Sequence, residues 1–376
     1  MNFSEPDAVE ALARDALSKH VVIGGPARVN RDLIRDMAGL GLFAPFFSKG
    51  VGGTGDGSIS ATVLCAVREG LARVSTEAST AFATQIGGIF VALRHALPEA
   101  RQEWVPKVVS GEAVSAVCLT EPELGSDLAS MAMPAEKADG GWSLSGTKTW
   151  IMKAPDADIY TVFARTSGSG AKGITAFLVP RSSPGLTGEA IDALWPDRVG
   201  NMHFDKVFVP DSHVIGPVGE GFKIGMGIFD AFRPSVGAHS VGLAEAALRA
   251  SVAYAKERKA FGQPIGGFQA VSHLLAEMAT QLQAARLLVY DAARAYDEAD
   301  RRRLGPASSM AKLFASQAGQ FVVDAAVQIH GAAGLQRGHL VEHLYREVRP
   351  ARIYEGTDQI QREIIARGLL AERRGN

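Results

Sequence analysis

The sequence predicts an α+β protein built in three successive parts: an N-terminal α-helical domain, a middle antiparallel β domain and a C-terminal four-helix bundle. Three observations predict it: helical Ala/Leu/Arg-rich patterning up to about residue 112, short β-prone runs between about 114 and 212, and long amphipathic periodicity after about 217. The divisions are placed at 1–113, 114–216 and 217–376.

In the first part, helical stretches flank the glycine-rich turn KGVGGTGDGS at 49 to 58, and the apolar run Ala81 to Leu93 is too short to span a bilayer and predicts a buried helix. In the second, WSLSG at 142, DIYTVFAR at 158, GITAFLVP at 173 and MHFDKVFVP at 202 are separated by turn residues and predict strands. In the third, Val271, Leu274, Leu275, Met278, Leu282, Ala285, Leu288 and Val289 keep one stripe at 3.6 periodicity. A second helix carries Leu313, Phe314, Phe321, Ala325 and Ile329, and short turns such as RRLGP suit antiparallel neighbours in a bundle.

Composition narrows the function classes. The chain has 376 residues, 47% hydrophobic and 21% charged, the balance of an ordinary globular protein. With 39 basic against 40 acidic residues the formal charge is -1, so no overall field draws the chain to nucleic acid or an anionic membrane. Cys65 and Cys118 are too few for a disulfide framework and lack zinc-ligand spacing, so no metal is expected and a reducing cytoplasm fits best. The start, MNFSEPDAVEALARD, has neither a basic nor an apolar leader region, and no signal peptide is expected.

Three stretches could carry chemistry. CLTEPELGSD, Cys118 to Asp127, offers hydroxyls at Thr120 and Ser126 and an unhindered backbone at Gly125; it is either a ligand-binding loop or a plain turn. ERKAFGQPIGGFQ, Glu257 to Gln269, sets Arg258, Phe261, Gly262 and Gln269 at a helix–turn–helix junction, suited to a pyrophosphate or simply a solvated basic patch. In RIYEGTDQIQREIIARGLL, Asp358 and Gln361 resemble a capping box, so a helix starts near 358 and Glu355 lies in irregular backbone before it. A carboxylate between apolar neighbours is desolvated and becomes a general base; the alternative is a surface glutamate in a turn.

Taken together, these stretches resemble the acyl-CoA dehydrogenase family over nearly the whole chain. TEPELGSD is similar to the family's TEPxAGSD, KTWI to its K-x-W-I strand, RKAFGQPIGGFQ to its R-x-x-FG…Q, QIHGAAG to its QIxGGxG and IYEGTDQIQR to its YEGT-x-x-Q signature. The resemblance implies the family's fold, with an antiparallel β-barrel as its middle domain, an FAD cofactor and a homotetramer built as a dimer of dimers.

Position by position, the resemblance places Val117, Leu119, Thr120, Gly125 and Ser126 against the flavin and ribityl chain, with Trp150 and Met152 beside the ring. It assigns Arg258, Phe261 and Gln269, and Gln328 and Gly331, to the FAD of a neighbouring subunit, and Thr357 and Gln359 to the chain's own site. Glu355 matches the base of short- and medium-chain members, whereas relatives with their base on an earlier helix have it where this chain has Phe232. Ser126, Asp230, Arg233, Tyr354, Gly356 and Arg367 match substrate-side positions.

The implied reaction removes an α-proton from an acyl thioester with Glu355 while a hydride leaves Cβ for flavin N5, giving the trans-2-enoyl thioester. The implied partners are an acyl-CoA and an electron-transferring flavoprotein. Three departures qualify this. Met152 stands where the family has a Thr or Ser hydroxyl for flavin N5, Ala332 replaces a glycine, and ALWPDRVGNMHFDKV is shorter than the usual LGxRGSxT segment. They leave open an acyl carrier protein thioester as substrate, or a flavin oxidase or monooxygenase on the same scaffold.

Overall fold

The computed structural model describes residues 3–25, 27–300 and 303–372. Five helices come first: α1 (Pro6–Ala16), α2 (Arg31–Gly39), α3 (Ala61–Ala72), α4 (Thr76–His95) and α5 (Pro98–Val109). The starts of α2, α3 and α4 are set by side chains that satisfy otherwise orphaned amides, and α1 and α5 start on a proline. Asn30 accepts from Leu33 N at 3.1 Å, Ser60 from Val63 N at 3.2 Å and Ser75 from Ala78 N at 3.1 Å. The run from Ala81 to Leu93 lies inside α4, as its length and apolar character predict.

The middle unit contains β1 (Ser115–Cys118), β2 (Ala135–Ala138), β3 (Gly141–Met152), β4 (Ile159–Arg165), β5 (Ile174–Pro180), β6 (Leu186–Ala190), β7 (Val199–Pro210) and β8 (Val214–Ile215). They hydrogen-bond as two four-stranded sheets, β1-β4-β5-β8 and β2-β3-β7-β6. One pairing departs from the antiparallel expectation: β1 and β4 run parallel, Ser115 opposite Ile159. Parallel pairing needs a long crossover, and the whole β2–β3 hairpin lies between those strands in the chain.

The last part holds α6 (Gly221–Glu257), a two-stranded hairpin of β9 (Lys259–Ala260) and β10 (Gln263–Pro264), then α7 (Gln269–Asp297), α8 (Leu304–His330), α9 (Leu340–Val348) and α10 (Asp358–Glu372). Within α7 the predicted stripe buries Met278, Leu282, Ala285 and Val289, while Val271, Leu274 and Leu275 pack partly buried against the same core. Leu288 breaks the pattern and is exposed. The helix–turn–helix junction expected within Glu257 to Gln269 contains the hairpin, with Phe261 and Gly262 at φ 51° and 84°. Two successive positive φ values match the right-handed twist of its strands.

Helical and β parts lock together where α4 crosses β1. Gly88 approaches so closely that a Cβ would sit 2.5 Å from Ser115 Oγ and 2.8 Å from Ala116 N. Ser115 Oγ donates to Gln85 O at 3.0 Å and Thr161 Oγ1 to Gly88 O at 2.6 Å. Gly88→Ala is therefore expected to destabilise the protein by about 1–3 kcal/mol through overpacking, read as a lowered thermal midpoint; an unchanged midpoint would contradict this packing.

Candidate functional site

The residues singled out by sequence gather in three places. The first is the loop after β1 together with the end of β3. Glu121 anchors it: its carboxylate accepts from Ala132 N at 2.8 Å, Met133 N at 2.9 Å and Lys148 Nζ at 2.9 Å, and Lys148 also donates to Leu119 O at 3.0 Å. Burial works against the Glu121 charge, but Lys148 and the two amides hold its pKa below the usual carboxylate range. Thr149 N donates to Thr120 O at 3.0 Å and ties loop to strand. Val117, Leu119 and Thr120 are half-buried, and Gly125 and Ser126 are exposed, with nothing within 4 Å of where a Gly125 side chain would start.

Trp150 stands beside this loop at φ 57°, where the β3–β7 register shifts between Lys148 and Ile151, and its side chain is left 57% exposed. A non-glycine residue held in that region costs on the order of 1–3 kcal/mol. An exposed indole plate, half-buried aliphatic neighbours and an open glycine backbone form a surface that fits a flat, partly apolar ring system with a polar tail.

The second place surrounds Glu355. Its backbone is left-handed, φ 55°, followed by Gly356 at φ 87°, so the chain turns sharply just before α10. The turn is held by its carbonyls: Lys312 Nζ donates to Gly356 O at 2.8 Å, and Gln361 Nε2 donates to Gly356 O at 2.9 Å and Glu355 O at 3.2 Å. α10 begins at Asp358, as expected, but the capping hydroxyl is one residue earlier: Thr357 Oγ1 accepts from Ile360 N at 3.3 Å. Asp358 instead turns inward and accepts from Arg352 Nε at 2.9 Å and Gln317 Nε2 at 3.1 Å. A buried carboxylate gains more from those donors than from an amide it would share with solvent.

The Glu355 residue is half-buried, but Oε2 is shut off from solvent and has no hydrogen-bond partner. Burial pushes its pKa up, opposed by the charges of Arg68, Arg233 and Lys312. Burial likewise brings Lys312 down to about 8, against the pull of Asp358 and Glu355. Tyr354 stacks on Trp195 at 5.4 Å, Trp195 Nε1 donates to Glu347 Oε2 at 2.9 Å, and Lys153 pairs with Asp197 at 2.7 Å. The segment between β6 and β7 thereby connects the end of β3, next to Trp150 and Met152, to the Glu355 turn. Asp230 and Arg233 lie on α6, 3.7 Å apart. Gln359 is exposed in the first turn of α10, and Arg367 is not brought to this cluster: it is exposed and paired with Glu363 at 2.7 Å.

The third place is the far end of the bundle. Arg258, Phe261 and Gln269 are exposed around the β9–β10 hairpin, Phe261 at 96%. Tyr254 stacks on His330 at 4.4 Å, which brings Gln328 and Gly331 to the same end. Arg233 and Arg258 are both tied to α6, 25 residues apart in sequence, so along a helix these two places are separated by roughly 40 Å. Sequence reasoning missed Arg68, Glu121, Lys312 and Gln361. The signal for Arg68 and Lys312 was present: a lone cation inside a helical stretch of mostly apolar and small residues, ATVLCAVREGLA and SSMAKLFASQ.

Three family models match in succession: acyl-CoA dehydrogenase N-terminal domain over residues 7–112, middle domain over 116–207 and C-terminal domain over 219–370. The chain belongs to the acyl-CoA dehydrogenase family. It is 37% identical over 369 residues to a probable acyl-CoA dehydrogenase of Mycobacterium tuberculosis, covering 96% of this chain and 94% of that one. Among solved structures, glutaryl-coenzyme A dehydrogenase in its glutaryl-CoA complex matches with TM-score 0.90 and 32% identity over 99% of this chain and 96% of that one. Butyryl-CoA dehydrogenase from Megasphaera elsdenii matches with TM-score 0.91 and 30% identity, over 98% of each. As a member of this acyl-CoA dehydrogenase family the protein is an FAD-dependent oxidoreductase, and its three-part fold is the family's fold. Among the described residues no cluster suits a metal ion, and no helix is long and apolar enough to cross a membrane.

Proposed function

We propose that the protein dehydrogenates an acyl-CoA to its trans-2-enoyl thioester, with Glu355 removing the α-proton. The observation that carries this reading is the Glu355 carboxyl itself, an acceptor oxygen shut away from water with no partner of its own. A base left unpaired in the resting site is free to take a proton from carbon, and its raised pKa makes it a stronger base near neutral pH. The positive φ of Glu355 and the bonds to the Glu355 and Gly356 carbonyls fix the turn, so the Glu355 amide can donate to the thioester oxygen as negative charge develops there. FAD, when bound, supplies the acceptor for the β-hydride at flavin N5.

Val117, Leu119, Thr120, Gly125, Ser126, Trp150 and Met152 would hold the flavin end, with Thr357 and Gln359 from the same chain. Ser126, Asp230, Arg233, Tyr354 and Gly356 are proposed on the substrate side, and Arg367 at the outer rim. Arg258, Phe261, Gln269, Gln328 and Gly331 lie roughly 40 Å from this cluster along α6, too far to reach the same flavin. Their exposure supports a role toward the FAD of a neighbouring subunit in a homotetramer. The units 1–113, 114–216 and 217–376 then meet around the flavin. The electron acceptor we propose is an electron-transferring flavoprotein, and two buried free cysteines support a reducing cytoplasm.

Anaerobic addition of short- and medium-chain acyl-CoA thioesters to purified holoprotein is expected to bleach the flavin absorbance. A full panel that leaves the spectrum unchanged would overturn the reading.

A further inference from the structure

Helix α3 presents Ala61, Cys65, Arg68 and Ala72 along one stripe, at i, i+4, i+7 and i+11. The other three belong to the apolar core shared with the bundle; Arg68 is a guanidinium in their midst, 4% exposed. Its Nη1 donates to Ser235 Oγ at 3.2 Å, it interacts with the Tyr354 hydroxyl, and its buried Nε has no partner. The adjacent Glu69 is committed to Arg73, Arg286 and Tyr290. Among the described residues Arg68 has no ion-pair partner, whereas Arg233 has Asp230 at 3.7 Å and Lys312 has Asp358 at 4.0 Å.

Burying a guanidinium without a counter-ion is costly, and the cost falls when an anion with matching geometry arrives. The charge of Glu355 acts on Arg68, but Glu355 must stay unpaired to act as a base. The surroundings limit what else fits. Phe232, buried on α6, packs against α4 so tightly that a Cβ on Gly87 would meet its ring at 3.1 Å. Arg68 lies close to the reaction centre through Tyr354.

We propose that Arg68 is a specificity-determining residue that receives a carboxylate at the far end of a short acyl chain, so that the preferred substrate is the CoA monothioester of a small dicarboxylic acid. The inference rests on the dehydrogenase reading above. The substrate carboxylate would occupy the unused Nε and an adjacent Nη as a bidentate pair, leaving Glu355 to face the α-carbon. The same anion would be repelled by Glu355 if it entered in the reverse sense, which fixes the orientation of the chain.

The test compares thioesters of equal length on wild-type holoenzyme under anaerobic conditions: glutaryl-CoA against pentanoyl-CoA. Glutaryl-CoA is expected to reduce the flavin with a kcat/KM roughly a hundredfold higher, a typical return for a buried charge-assisted pair. Arg68→Met should lose about that factor for glutaryl-CoA, chiefly in KM, and so bring the ratio of the two kcat/KM values down toward one; Arg68→Lys should recover part of that ratio. Preference of the wild type for pentanoyl-CoA overturns the proposal and leaves the dehydrogenase reading intact. Equal loss for both thioesters in Arg68→Met also overturns it, because that is the outcome if Arg68 only supports Glu355. If neither thioester bleaches the flavin, this proposal falls, and the full acyl-CoA panel decides the dehydrogenase reading. Should the methionine variant not fold, the wild-type comparison decides alone.

Discussion

Glu355→Gln is expected to lower kcat by at least about a thousandfold while the protein still folds, retains FAD and binds acyl-CoA. General-base catalysis contributes on the order of 10²–10⁴ to a rate, and the other carboxylate placed on the substrate side, Asp230, already faces Arg233 at 3.7 Å. Lys312 and Arg233 touch the cluster but are cations. Asp358 already accepts from Arg352 and Gln317 and cannot turn toward substrate without abandoning them. The amide of glutamine keeps the size and one acceptor oxygen, so the left-handed turn at 355 should survive. Stopped-flow reduction of the bound flavin measures the step directly. A variant that reduces its flavin at the wild-type rate would remove Glu355 from the mechanism.

The same carboxyl sets the acid limb of activity. Only its ionised form can accept a proton, and burial raises its folded pKa above the ordinary value of 4.5. Activity should therefore be complete well above that raised value and fall as pH drops through it, so kcat/KM is lost at a higher pH than a solvent-exposed glutamate would give. An acid limb at or below pH 4.5 would contradict the burial of Glu355.

Much of this site was legible in the sequence because its parts are local. TEPELGSD, KTWI and YEGTDQ each fold within a few residues of themselves, and turn chemistry follows from residue type. What escaped was long-range. Arg68 and Lys312 sit 287 and 43 positions before Glu355 in sequence, and their identity as partners depends on how α3, α6 and α8 pack. The capping residue of α10 was displaced by one because Asp358, a good cap on propensity, is worth more as the acceptor for Arg352 and Gln317. The parallel pairing of β1 and β4 was hidden for a similar reason: strand order is set by a crossover, and local alternation does not encode it. Likewise the β9–β10 hairpin occupies a stretch whose glycines and proline read as an ordinary loop.

Asp358→Asn is expected to destabilise the protein by about 3–5 kcal/mol, the cost of stranding buried charge. Asp358 is almost fully buried and gathers Arg352 Nε at 2.9 Å, Gln317 Nε2 at 3.1 Å, Ser316 Oγ at 3.4 Å and Lys312 Nζ at 4.0 Å. Neutralising it leaves the Lys312 ammonium without its nearby carboxylate, and since burial already depresses that pKa to about 8, the amine should release its proton at lower pH still. Neutral Lys312 is a weaker donor to Gly356 O, so the turn that presents Glu355 loosens and flavin reduction slows along with the loss of stability. Replacing both residues, Lys312→Met with Asp358→Asn, removes the stranded charge. The double variant should cost less than the sum of the single variants, with a coupling of about 1–3 kcal/mol in a thermodynamic cycle. Strict additivity in that cycle would mean that Asp358 and Lys312 act independently.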